Sequence, residues 1–366
     1  MAEKRYYPEM DRLRGIAILM VLLYHSVLVY PINLTLQPFY GELHSFLWTV
    51  EMPLFFLVAG FCFRYEGNYG AYLKKKSLRV LLPHLVFGLF DIAIRILPGE
   101  LVHQRLDIVS AFREFFLYGA NDWFLWTLFL IFLPAPLLFR LVHKGKAGKT
   151  IAFLISLLLI LFQNKMPYLL CLRNMVQFLI YFVLGMLFAS VRETKEEQKA
   201  ESPWLVPILV LAGCLGLYLL AWKGWVNDEA AWEYSLFGLM KLLKGPLTVE
   251  IVPGVTWLKW CYLLIGLATP LSFCYALYIL VRRMREGGLD RFLRLCSKYS
   301  LQMYLLDGYA LVLTRTLLVS VCSVTAGILL VPLNFVLDTA LVLLISRYIL
   351  DRWGFLRILS GLNRRS

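Results

Sequence analysis

Apolar stretches long enough to cross a bilayer recur along the whole of this chain, and nothing else in it limits the possible folds so severely. Five fall near Leu13–Ile32, Phe46–Phe63, Arg79–Leu97, Trp123–Leu141 and Thr150–Phe162. Five more follow near Leu169–Ala189, Trp204–Trp222, Trp257–Val281, Tyr299–Val319 and Ala326–Leu350. The fifth is short and the eighth long. Of the 366 residues, 60% are hydrophobic and 15% aromatic, which excludes an ordinary soluble domain. The expected fold is therefore an all-α polytopic integral membrane protein of about ten transmembrane helices, forming one membrane domain over residues 1–366. The first span follows a basic N-terminus but has no small-residue cleavage site, so it reads as a retained helix rather than a cleaved leader.

A net charge of +13 would suit a nucleic-acid partner, but its distribution argues against one. Basic residues gather in alternate connections: Lys4 to Arg14, Arg64 to Arg79, Arg140 to Lys149, Arg192 to Lys199, Arg282 to Lys298 and Arg347 to Arg365. The long connection from Lys223 to Glu250 is instead balanced by Asp228, Glu229, Glu233 and Glu250. This alternation is the positive-inside pattern and places both termini in the cytoplasm. The seven cysteines show no C-x-x-C, and most lie within apolar spans as small hydrophobes. No P-loop, dinucleotide fingerprint, zinc-protease pair or calcium loop is present, so no metal site is expected.

Ionisable residues inside the spans are expensive and mark candidate chemistry. In the first span Arg14 and His25 are eleven residues apart. At about 100° per residue that is three turns plus about 20°, so both point the same way, with His25 roughly 16 Å deeper. Asp11 joins that stripe one turn below. Asp307, eight residues into the ninth span, reaches a comparable depth and could orient the imidazole. Glu51 interrupts an apolar run that also holds Pro53 and Ala59-Gly60. Lys76 and Arg79, three apart before the third span, would present two cations on one face, suited to phosphate oxygens. Asp91 with Arg95, and Arg315 with Asp338, are expected to pair. The long outer connection carries Trp225, Trp232 and Tyr234, as interfacial segments do.

Together these segments resemble the membrane-bound acyltransferase-3 family, particularly its fucose 4-O-acetylase-like branch. The similar elements are Asp11, Arg14 and Gly15 followed by His25; Met52-Pro53-Leu54-Phe55-Phe56 through Gly60-Phe61; and Lys76 and Arg79 ahead of Leu81-Leu82-Pro83. Trp123-Phe124-Leu125 and Ser300-Leu301-Gln302-Met303-Tyr304-Leu305-Leu306 complete the series. Asp307 stands where the family commonly has His, and Glu51 where the branch often does. The resemblance implies transfer of an acetyl or other short acyl group from acetyl-CoA to a hydroxyl of a cell-envelope glycan or glycolipid precursor, in the bacterial cytoplasmic (inner) membrane. The CoA phosphates are then expected near Arg14, Lys76 and Arg79, with His25 as general base, Asp307 and Glu51 as further catalytic candidates on their own positions, and Asp11 and Trp123 orienting the site. An acyl-enzyme on His25 or Ser26 is the alternative route. The competing class is a transporter or flippase for a glycan, lipid or amino acid, which would also place charges at mid-membrane but would not bind CoA.

Overall fold

In the computed structural model the described residues are 6–28, 34–35, 37–96, 107–118, 123–162, 166–167, 169–194, 205–219, 256–324 and 326–362. All regular structure among them is helical. Among the described residues, five helices are long and apolar enough to cross a membrane, or six if one bent pair counts as a single span. The aromatic outer connection with Trp225, Trp232 and Tyr234 lies outside the described residues.

Helix α1 (Pro8–Leu28) is the hub of the bundle. Packed around it are α2 (Pro38–Phe61), α11 (Thr256–Arg283), the short amphipathic α12 (Gly288–Lys298), α13 (Ser300–Thr316) and α14 (Gly327–Ile345). A second group leans on α2 through α9 (Leu172–Thr194), which also packs against α6 (Trp123–Phe132) and α8 (Lys146–Phe162). Between lipid-soluble helices close approach comes from small residues rather than from hydrophobic drive. At the α2–α9 crossing a Cβ on Gly60 would lie 1.9 Å from the Phe182 carbonyl oxygen, and one on Gly185 would lie 2.1 Å from that of Leu57. Glycine is required at both positions because backbone meets backbone there.

Several boundaries differ from those read off hydropathy. Helix α2 begins at Pro38, eight residues before the expected start, because proline is favoured in a first helical turn and polar residues are tolerated there once buried. The third span begins with α3 (Tyr69–Lys76), where the Asn68 side chain accepts from the Gly70 N–H at 2.6 Å. It then passes through a π-helical turn over Ser77–Leu81 into α4 (Leu82–Ile96), against which the short α5 (Ile108–Arg113) packs. The expected fourth span is not one straight helix: α6 and α7 (Ala135–Val142) meet at 53°, at a break that contains Pro134, which lacks the N–H a continuous helix needs. Helix α9 starts after Leu170 and Cys171, both with φ of 54°, so a left-handed turn replaces the first residues of the expected span. Helix α10 (Leu205–Leu219) pairs with α11, which carries Pro270 inside it.

Candidate active site

The α1 stripe has the geometry that its periodicity predicts. His25 is half-buried, its side chain 32% exposed, and its Nδ1 is hydrogen-bonded to Oδ2 of Asp307 on α13. Asp307 itself is buried, and the imidazole gives its carboxylate a hydrogen-bond partner. With the proton on Nδ1 donated to the carboxylate, Nε2 is left as the basic nitrogen. Ser26, the next residue, is fully buried and donates to the Leu22 carbonyl at 2.7 Å, so its hydroxyl is spent on the helix.

Glu51 is fully buried, and its carboxylate lies within electrostatic range of Asp307. Neither of its oxygens has a hydrogen-bond partner among the described residues. Pro53, two residues on, withholds the N–H that would bond the Thr49 carbonyl, opening the backbone beside it. His44 was not singled out by the sequence. It lies seven residues before Glu51, two turns along the same face of α2, and within electrostatic range of His25. Its ring stacks on Tyr24 at 4.1 Å between centroids, and Tyr24 stacks in turn on Trp48 at 5.3 Å. Trp48 is tilted against Trp123 at 6.2 Å, and Trp123 stacks on Phe178 at 5.5 Å. Trp123 therefore closes an aromatic wall beside the His25–Asp307 pair. The signal that could have exposed His44 was Pro38, which sets the true helix start.

The expected second pairs resolve differently. The Arg315 guanidinium donates to the Ser26 carbonyl at 2.5 Å, while Asp338 on α14 lies beside Asp307. The Arg315–Asp338 pair therefore does not form: the Asp338 carboxyl meets α13 at Asp307, about two turns before Arg315. The side chain of Arg95 lies outside the described residues, and with it the proposed Asp91 pair.

Three turns below His25, Arg14 lies within electrostatic range of both Lys76 and Arg79. Its Nη2 meets the Cys62 sulfur at 3.5 Å and its Nη1 lies 3.8 Å from Asp11. Asp11 also accepts from the Tyr6 hydroxyl at 2.7 Å and the Ser297 hydroxyl at 3.1 Å, which fixes its position. The π turn that opens directly after Lys76 carries Arg79, and the two cations lie within electrostatic range of each other. The Lys76 ammonium sits 3.8 Å from the Phe132 ring centroid, flanked by Phe63 and Tyr72 at 5.4 and 5.7 Å. Lys76, Arg79 and Arg14 thus converge as three like charges with one nearby carboxylate, an arrangement suited to a polyanion.

Outside the spans, Arg12 locks the foot of α1 onto α12, bonding Asp290 at 2.6 Å and the Val281 carbonyl at 2.7 Å. Arg294 bonds the other Asp290 oxygen. Burial works to raise the Asp290 carboxyl, but the hydrogen bonds from Arg294 and Arg12 overcome it and hold it below its usual range.

Of the seven cysteines, Cys171, Cys214, Cys274 and Cys296 are buried, whereas Cys62 and Cys322 are exposed. Among the described residues, no three His, Cys, Asp or Glu side chains are placed to hold a metal ion. No curated protein and no solved structure matches the chain. A family model described as an acyltransferase domain matches residues 7–350, nearly the whole length. With this match, the buried His–Asp pair and the apolar helices around it belong to a membrane acyltransferase, and the chain is a member of the acyltransferase-3 family.

Proposed function

We propose that the protein is an O-acyltransferase of the fucose 4-O-acetylase-like kind. It moves an acetyl or other short acyl group from cytoplasmic acetyl-CoA to a hydroxyl of a cell-envelope glycan or glycolipid precursor. The observation that carries this is the His25–Asp307 pair, a half-buried imidazole three helical turns above Arg14 on the same helix, with Lys76 and Arg79 gathered around that arginine. The CoA phosphates would bind Arg14, Lys76 and Arg79, and the extended pantetheine arm would carry the thioester along α1.

His25 Nε2 then takes the proton of the acceptor hydroxyl as its oxygen attacks the thioester carbonyl. The new C–O bond forms, the C–S bond breaks, and the departing CoA sulfur takes the proton back from Nε2. Asp307 holds the ring and stabilises the imidazolium in between. The buried Ser26 hydroxyl, already bonded to Leu22, favours direct transfer over an acyl-serine. Glu51, buried within electrostatic range of Asp307, assists by setting the charge around the His25–Asp307 pair. Ten spans in a single domain, both termini in the cytoplasm and residence in a bacterial inner membrane complete the reading, on the charge alternation of the connections.

The test is acetyl-CoA binding and thioester loss by the purified protein in detergent. Saturable binding that raises the melting temperature, weakened in Arg14→Ala and Arg79→Ala, is expected. Thioester loss should vanish in His25→Ala while binding persists. Absence of any CoA response would overturn the donor, and full turnover in His25→Ala would overturn the base.

A further inference from the structure

Asp338 takes no part in the reaction as derived so far. It is fully buried on α14, and its carboxyl is within hydrogen-bond reach of Asp307. The two helices pack side by side in a fixed register, with the Thr314 hydroxyl donating to Asn334 Oδ1 at 2.7 Å, one turn from Asp338. Asp307 spends only Oδ2 on His25. Its Oδ1 and both oxygens of Asp338 have no hydrogen-bond partner among the described residues.

Among the described residues, the other ionisable groups facing the pair are His25 from α1 and Glu51 from α2, both on the Asp307 side. Arg315, the nearest cation along α13, is turned to the Ser26 carbonyl. Two carboxylates in contact in an apolar interior do not both ionise, and buried acceptors without a donor are costly. One proton between them leaves the pair a single negative charge and gives Asp307 Oδ1 a donor.

We infer that Asp338 is a neutral carboxylic acid whose hydroxyl donates to Asp307 Oδ1. It is a positioning residue, holding Asp307 at a single negative charge with Oδ2 aimed at His25 Nδ1. Its effect on turnover rests on the acyl-transfer reading, whereas the shared proton rests on the packing alone. An acid at this position also differs from an ion pair in tolerating a neutral donor of the same shape. Asn keeps that donation through its amide N–H, whereas Leu fills similar space without it.

The experiment combines infrared difference spectroscopy with kinetics on the full chain in lipid nanodiscs. The wild-type minus Asp338→Asn spectrum at neutral pH should carry the carbonyl stretch of a buried protonated carboxyl. Asp338→Leu should lower kcat roughly ten- to a hundredfold, the loss of one hydrogen bond to a charged group, with the KM for acetyl-CoA unchanged. Asp338→Asn should restore most of that loss. A difference spectrum without the band overturns the proposal, as does an Asn variant that behaves like Leu or a Leu variant that behaves like wild type. A wild-type protein that shows the band but transfers no acyl group sinks the activity and leaves the shared proton standing.

Discussion

Replacing Asp307 by Ala removes the partner of His25 Nδ1 without touching the cation cluster three turns away. As Nε2 accepts a proton in the transition state, the ring becomes a cation next to this buried carboxylate. For charge centres about 4 Å apart and an effective dielectric constant of about 20, the attraction is about 4 kcal/mol. At about 1.4 kcal/mol per tenfold, its loss lowers kcat about a thousandfold. The ground state of the bound donor has no such charge, so the KM for acetyl-CoA should stay within about twofold of wild type. The assay is steady-state release of CoA thiol by the detergent-solubilised protein with a glycan acceptor, with His25→Ala as the floor. Acetyl-CoA-induced thermal stabilisation serves as the check on folding and donor binding. Retention of more than a tenth of wild-type kcat would refute the role given to the carboxylate. A fall in donor binding that tracks the fall in kcat would show instead that Asp307 supports the bundle and not the chemistry.

Gly60→Ala should destabilise the protein by about 1–3 kcal/mol, since its methyl would fall 1.9 Å from the Phe182 carbonyl oxygen and force α2 and α9 apart. An unchanged melting temperature would show that this crossing is looser than described. The Asp290 clamp should carry a pH signature. Its folded-state carboxyl lies below the unfolded value near 4, so its stabilisation is complete above that value and fades as pH falls through the folded one. The melting-temperature gap between wild type and Asp290→Asn should be full at pH 7 and narrow below about pH 4. A gap that stays constant across that range would contradict the assignment.

The sequence by itself determined the class and the α1 stripe, because hydropathy and helical period are properties of a short stretch of chain. Eleven residues on one helix place Arg14 and His25 on one face whatever surrounds them. Element boundaries were less legible. Local chemistry overrode hydropathy at Pro38, at the π turn after Lys76 and at the bend by Pro134, and the late expected start of α2 hid His44. Glu51 illustrates the limit. Its sequence position fits a surface residue as well as a site residue, and the early start of α2 is what buries it beside Asp307.

Only tertiary structure decided the partners. His25 meets Asp307 across 282 positions, Asp338 faces that same Asp307, and Arg315 goes to a backbone carbonyl instead. Which buried charges meet depends on how far each helix is rotated and slid against its neighbours. In an apolar bundle that is set by close packing at residues such as Gly60 and Gly185, and hydropathy carries no record of it.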